Sequence, residues 1–415
     1  MVSENSQVPE TDEDAAMAAQ AAAMAEAFMP LQRDGFDPIP ALGQTRETQP
    51  VRKLQFPFGI SAWLVTGYAE ARKVLGDPAA FSNDFARLTE TTGGIASAEQ
   101  DPGGLGFADP PFHTRMRKAL TPEFTMRRLQ RLVPRIEEIV DQRLDALQQA
   151  GPGADFVEQV AMPVPSLVIC ELLDVPFPDR EDFGRLTGSR FDIFGGVGTG
   201  LDAISDSLEY MGELVAQQRA DPGEGLLGML IREHGDDLTD RELAGLADGL
   251  LVGGHETTAS MLALGTLVLM QAEPEVRASL DDEAATRKIV EELLRYLTVV
   301  QMAFPRFAKE DMEVGGVPIA AGEMLLVSLT ANDRDPALGP DLERFVADRE
   351  PVSHFAFGHG IHRCVGAELA RMELRIAYPR LFARLPDLQP AVPAGQIAFR
   401  DYSVVHGVEA LPVTW

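Results

Sequence analysis

The sequence predicts a mainly α protein built as one large domain, and three observations lead there. The run from about Asp240 to Ala272 contains no proline and is apolar nearly all round, the pattern of a helix buried through the centre of a molecule. At 1.5 Å per residue it would be roughly 50 Å long. Amphipathic helical stretches recur along most of the chain, whereas strand-like pieces are few and short. No internal repeat or low-complexity linker divides the 415 residues, although length alone would suggest two or three domains.

In chain order, the N-terminus opens acidic (SENSQVPETDEDA) and continues into AAMAAQAAAMAEAF. It lacks the basic head and strong apolar run of a signal peptide. Residues 1–30 are read as an acidic, partly disordered segment, and 31–415 as the folded domain. Residues 60–76 read as a strand followed by a short helix. Residues 85–111, ending GGLGFADPP, read as a long loop. Helices are expected at about 113–120 and 126–150. A helix-rich stretch over about 155–220 follows, interrupted by a flexible turn, FGGVGTG, at 194–200. Thr239 and Glu242 form a T-x-x-E capping box at the start of the central helix. A helix at about 283–297 precedes the strand-like pieces DMEVGGVPIAAG and EMLLVSLTA. The loop-rich stretch 331–363 leads to a last helix from about Val365 to Leu385, bent near Pro379. The end, VHGVEALPVTW, reads as extended, with no further redox domain after it.

Composition narrows the function classes. A net charge of −28 speaks against nucleic acid or an anionic membrane surface as partner. No stretch is apolar enough for long enough to span a bilayer. Two cysteines, Cys170 and Cys364, cannot make a disulfide framework and suit a reducing compartment, so a soluble cytoplasmic protein is expected. Cys170, in the apolar run PSLVICELL, reads as core packing.

Three constellations carry chemistry. In LLVGGHETTASML (250–262), paired glycines, each costing about 1 kcal/mol against alanine in a helix, precede His255, Glu256, Thr257 and Thr258 between apolar flanks. This predicts a local opening of the helix in which Glu256 and Thr257 act as a proton relay; His255 is given no catalytic role. In VEELLRY, Glu292 and Arg295 stand at i,i+3 on one helix face, which in isolation is the pattern of a surface ion pair. In FAFGHGIHRCVG (355–366), Cys364 has His359 and His362 nearby but lacks the four closely spaced ligands usual for zinc. A thiolate before a helix N-terminus would be favoured by the free amides and the helix dipole, lowering its pKa. Gly358, Gly360 and Gly366 allow tight turns and close approach of backbone to a flat ligand. A thiolate with one open side fits haem iron better than zinc.

Together these residues resemble the soluble bacterial branch of the cytochrome P450 superfamily, over nearly the whole chain. FGHGIHRCVG meets the cysteine-loop pattern F-G-x-G-x-H-x-C-x-G at every fixed position. GGHETT matches the oxygen-activating motif and ELLR the E-x-x-R. ADPPFHTRMRKAL (108–120), ANDRDP (331–336) and FVADR (345–349) resemble further family segments. The resemblance implies a large helical domain with small β-sheets and a haem between the long central helix and the cysteine loop. It implies haem b (iron protoporphyrin IX) ligated by Cys364, with Phe357, Gly358 and Gly366 beside it and His113, Arg117, Arg306 and His362 on the propionates. Glu292, Arg295 and Arg349 would form a structural network, and Thr257 with Glu256 the proton relay. His359, at an unfixed loop position, would only pack.

The same resemblance implies O2 and NAD(P)H-derived electrons, delivered by a separate ferredoxin and its reductase to a monomeric enzyme. Arg115, Arg117, Lys118, Arg127, Arg128, Arg131 and Arg135 face one local acid, Glu123, and with Arg363 and Arg371 would steer an acidic ferredoxin. The pocket would comprise Gly249, Val252, Gly253, Met302, Ala303, Phe304, Ser403 and Val404. Its lids would be the loop at about 85–107 and the turn around Phe191, Phe194 and 195–200. Such a pocket suits a lipophilic substrate, such as a terpenoid, steroid or macrolide, undergoing hydroxylation or epoxidation. The competing readings are a haem-thiolate sensor or carrier without turnover, and a helical zinc protein.

Overall fold

The computed structural model describes residues 24–56, 59–84, 86–87, 90, 105–176 and 197–415. Ala27 and Met29 are buried against the body, so packing begins inside the acidic N-terminal segment. A two-stranded ribbon of β1 (Arg33–Asp34) and β2 (Asp37–Pro38) leads into helix α1 (Pro40–Thr48). Strands β3 (Val51–Gln55) and β4 (Ser61–Val65) pair antiparallel before α2 (Tyr68–Gly76) and the short β5 (Phe81–Ser82). The strand and helix expected over 60–76 are thus β4 and α2.

Helix α3 (Phe112–Leu120) matches its expected span. The single helix expected over 126–150 is divided: a short turn, Met126–Leu129, passes through a 3₁₀ turn, Gln130–Leu132, into α4 (Val133–Ala150). The break has a cause in Pro134, which lacks an N–H and is tolerated only in the first turn of a helix. A π-helical turn, Val157–Ala161, precedes α5 (Pro163–Leu173). Helix α6 (Val197–Ala220) begins inside the expected turn, so residues 197–200 of FGGVGTG are helical. Phe191, Phe194 and residues 195–196 lie outside the described residues, as does most of the expected lid at 85–107.

After α7 (Leu226–His234) comes the central helix α8 (Asp240–Gln271). Both halves of its capping box are made: the Glu242 N–H donates to Thr239 Oγ1 at 3.3 Å, and the Thr239 N–H donates to Glu242 Oε2 at 2.8 Å. Such a cap stabilises a helix by about 1 kcal/mol. Helix α9 (Glu283–Leu297) is capped by the Asp282 carboxylate and ends at Thr298 in a left-handed turn, φ 38°. Strands β6 (Arg306–Ala308), β7 (Met312–Val314), β8 (Val317–Ile319) and β9 (Met324–Val327) follow. Helix α10 (Ala367–Arg384) runs on through Pro379, and β10 (Gln389–Pro390) pairs with β11 (Val413–Thr414).

The largest sheet has the order β3-β4-β9-β6-β5, with β4 and β9 parallel and the other pairs antiparallel. The principal core gathers the apolar faces of α3 to α10 around α8, and includes Cys170 at 0% exposure. Among the described residues no helix is long and apolar enough to cross a membrane. Nor does any group of three or more His, Cys, Asp or Glu among them form a metal-ion site, so the zinc reading lacks its ligand set.

Candidate active site

The loop before α10 is built turn by turn from the sequence. The Phe355 N–H is accepted by the buried Asp333 carboxylate, and the Phe355 ring stacks on Tyr68 at 4.6 Å. Gly358 at φ 68° returns the chain, its N–H donating to Phe355 O at 2.7 Å. Gly360 at φ 74° presses on α2, where an added Cβ would lie 2.2 Å from Leu75 O, so only glycine fits. The Cys364 N–H then donates to Phe357 O at 2.9 Å, and the Phe357 ring lies 4.5 Å beneath the Arg371 guanidinium. His359 packs half-buried, 5.6 Å from the Phe355 ring.

Cys364 is exposed on one side and enclosed by protein on the others. That enclosure pushes its thiol pKa up, and the Gly366 N–H with the charges of Arg117, Arg363 and Arg371 only partly opposes it. The expectation that the helix terminus alone lowers the pKa is therefore overturned: desolvation outweighs the amides and the dipole.

Beside Cys364 lies a rim of donors. Arg117 reaches the loop, donating from Nη1 to Arg363 O at 2.7 Å. His113 and His362 place their rings 4.3 Å apart. Burial, then the charge of Arg306, holds His362 down to about 3; burial, then Arg117, lowers His113. Both His113 ring nitrogens are buried without a hydrogen-bond partner in the structure. Arg306 is nearly buried and held to about 10 by that burial; it donates to Asn83 Oδ1 and to Phe304 O at 2.9 Å. Two guanidiniums beside an orphaned imidazole leave donors in excess of acceptors, which fits a group that brings carboxylates.

Behind the loop, Glu292 and Arg295 are fully buried rather than at the surface. The Arg295 guanidinium grips both Glu292 oxygens, at 2.8 and 2.9 Å, and donates to Asp333 O, Leu342 O and Arg344 O. Arg349 Nε adds a bond to Glu292 Oε1 at 3.0 Å, and the Val346 N–H another at the same distance. These bonds tie α9 to the segment that feeds the cysteine loop.

On α8, Gly249, Gly253 and Thr257 recur at intervals of four and so share one face. Both glycines are exposed within a helix otherwise largely buried, and an added Cβ at either meets nothing within 4 Å. Val252, Glu256 and Thr257 are partly open beside them. The expected opening of the helix is absent: α8 is continuous, because the Thr257 hydroxyl finds its acceptor locally, in Gly253 O at 2.6 Å. His255 points away, Nε2 3.0 Å from Met162 O, and burial holds it neutral, at about 4. Glu256 accepts a hydrogen bond from Arg400 Nη1.

The segment 302–304 and the hairpin 399–408 supply the remaining expected pocket residues. Met302 and Ala303 are half-buried; the Phe304 ring is 50% exposed and meets Phe107 edge-on at 4.7 Å. Ser403 is buried and Val404 half-buried, their carbonyls held by Gln301 Nε2 at 2.8 Å and the Gln301 N–H at 2.9 Å.

With this geometry in place, comparison with known proteins is decisive. The family model "Cytochrome P450" matches residues 213–386. The cytochrome P450 monooxygenase PikC of Streptomyces venezuelae is 41% identical over 383 residues, covering 91% of each chain. The mycinamicin IV hydroxylase/epoxidase of Micromonospora griseorubida is 38% identical over 380 residues, covering 90% of this chain and 94% of its own. Among solved structures, P450 StaH from glycopeptide antibiotic A47934 biosynthesis superposes with a TM-score of 0.84 at 42% identity, over 93% of this chain and 99% of its own. The chain belongs to the cytochrome P450 family. It is a haem-thiolate monooxygenase with the fold of the soluble bacterial P450s.

In this P450 Arg117 bonds the cysteine loop at Arg363 O, and the ring of His113 meets that of His362 two residues before Cys364. Reading the sequence missed Asn83 and Asp109, which fix the rim. The Asn83 N–H donates to Asp109 Oδ1 at 2.8 Å, and Lys309 pairs with Asp109 at 3.2 Å. Asp109 lies inside the quoted ADPPFHTR, where its acid beside basic residues was a usable signal. Asn83 carried none, because its partner Arg306 stands 223 positions away. Arg400 was missed for the same reason.

Proposed function

We propose that this P450 inserts one oxygen atom into a lipophilic small molecule, by hydroxylation or epoxidation, using electrons from a ferredoxin. The observation that carries this reading is the open stripe of Gly249, Gly253 and Thr257 with the acid Glu256 beside it. Val252, Met302, Ala303, Phe304 and Val404 would give that space an apolar lining, which would suit a terpenoid, steroid or macrolide. Haem b would be held by the Cys364 thiolate, with His113, Arg117, Arg306 and His362 on its propionates; bound there, it supplies the activation of dioxygen. The Glu256 carboxylate would take up a proton and the Thr257 hydroxyl would hand it on towards the bound oxygen. A sensor or carrier would need neither group.

Electron supply from a ferredoxin rests on exposed cations on α3, after it and beside Cys364, but fewer than the sequence suggested. Arg115 is paired with Glu242, Arg128 and Arg131 with Glu123, and Arg135 with Glu138 and Glu171. Lys118, Arg127 and Arg363 are exposed, and α3 touches the cysteine loop through Arg117. We place the protein in the cytoplasm as a monomer, consistent with two unbonded cysteines.

The test is the carbon monoxide difference spectrum of the reduced protein, followed by ferric titrations with terpenes, steroids and macrolides. The Soret band of thiolate ligation and a spectral shift with one of these classes are expected. A histidine-type band, or loss of none of the thiolate signature in Cys364→His, overturns the ligand assignment. Thr257→Ala should keep haem and ligand binding yet divert consumed electrons to peroxide; unchanged coupling removes Thr257 from the relay.

A further inference from the structure

We infer that Arg400 is a positioning residue for Glu256, so that one hairpin both lines the cavity and holds the acid of the relay. The inference rests on the relay proposed above. Arg400 Nη1 donates to Glu256 Oε1, with the two side chains only 24% and 12% exposed, so water competes weakly for the pair. The arginine stands at the base of the hairpin 399–408: its N–H donates to Gly407 O at 2.9 Å, and Phe399 bridges Val408.

The contact is a seat as well as an ion pair. Glu256 and Ser260 lie one turn apart on α8, on the same face. Gly407 sits against that face: an added Cβ would fall 2.8 Å from Ser260 Oγ and 3.6 Å from Arg400 Cδ and Cζ. The hairpin's tip is fastened separately, Gln301 holding the carbonyls of Ser403 and Val404, and the His406 N–H donating to Val299 O at 2.7 Å. Arg400 thereby fixes one oxygen of Glu256 on the helix face that also carries Ser260. A ligand seated against Val404 shares a short, doubly fastened hairpin with the partner of that acid.

The experiment compares Arg400→Gln, Arg400→Lys, Glu256→Gln and the double variant Arg400→Gln/Glu256→Gln as holoproteins. Spinach ferredoxin and its reductase supply electrons without substrate. The readouts are the fraction of consumed O2 recovered as H2O2, the solvent deuterium isotope effect on NADPH oxidation, 4-phenylimidazole affinity, and Tm. Oxygen leaves this cycle as H2O2 after two electrons and two protons, or as two waters after four of each. Arg400→Gln should shift the partition towards peroxide and enlarge the isotope effect in the direction set by Glu256→Gln, with 4-phenylimidazole affinity unchanged. Arg400→Lys should restore most of the wild-type partition. The double variant should be no less stable than Arg400→Gln alone.

Wild-type partition and isotope effect in Arg400→Gln, while Glu256→Gln alters both, overturn the role of Arg400 and leave the relay standing. No effect in Glu256→Gln overturns the relay itself. If Arg400→Gln loses haem, the Lys variant and the thermal cycle decide: no rescue, or additive Tm losses, overturns the positioning role.

Discussion

Asp333 is fully buried, and its carboxyl meets the Phe355 N–H at the entry to the cysteine loop and the Thr298 hydroxyl at 2.9 Å. Burial pushes its pKa up to about 6, against the opposing pull of His354 and these hydrogen bonds. A carboxyl whose folded pKa is raised holds its proton more tightly when folded. Its contribution of about 3 kcal/mol is fully present below the unfolded value of about 4 and is lost as pH rises through 6. The Thr298 hydroxyl can donate to Arg295 O at 2.7 Å and accept from an amide in place of the acid. Asp333→Asn should therefore keep every bond and raise Tm at pH 8, with the gain shrinking towards pH 4; a Tm gain independent of pH would refute this account. Removing one partner of a buried pair acts the other way. Glu292→Ala strands Arg295 and should cost about 3–5 kcal/mol, read as a lower midpoint in urea and weaker haem retention. The sequence displayed Glu292 and Arg295 as a surface pattern because the groups that bury them lie 47 and 57 positions later, at Leu342 and Arg349.

Among elements, α8 was legible almost to its ends, since a capping box and a proline-free apolar run are local signals. The behaviour of its polar turn was not, because a threonine hydroxyl can be satisfied either by opening the helix or by the carbonyl four residues back. Here it takes Gly253 O. The division of the helix expected over 126–150 was legible in principle from Pro134, whose first-turn preference sets the start of α4. Gly249 offers a test of the open stripe. Alanine there meets nothing within 4 Å and should stabilise the helix by about 0.5–1 kcal/mol. The new methyl stands in the cavity, so Gly249→Ala should raise Tm while weakening 4-phenylimidazole binding. An unaltered affinity would mean that this face of α8 does not bound the ligand space.

At the scale of the molecule, the order of motifs carried the fold and the candidate site residues, because each motif is local even though the site is not. Charge was read less well. Seven cations against one acid over 113–135 looked like a free patch, yet four of those arginines are paired, three of the acids coming from outside the stretch or from its far edge. On a chain of net charge −28, the remaining exposed Lys118, Arg127 and Arg363 should still make ferredoxin binding weaken steeply with salt. Arg127→Glu should flatten that salt dependence and raise the ferredoxin Kd more than Arg115→Ala does. Equal effects from the two substitutions would argue against docking on this face.

The parallel pairing of β4 with β9 has a consequence for how the protein is made. Trp63 Nε1 reaches Glu323 across 260 positions, so the main sheet cannot zip until most of the chain has left the ribosome. Pairings so remote in sequence form slowly, after local helices have collapsed. His113 and Arg117 are synthesised long before Arg306 and Cys364. In a refolding jump, thiolate-type haem absorbance should therefore appear no earlier than the last far-UV phase. A nascent chain released before residue 364 would carry His113, Arg117 and Arg306 but lack the Cys364 thiolate assigned to the iron.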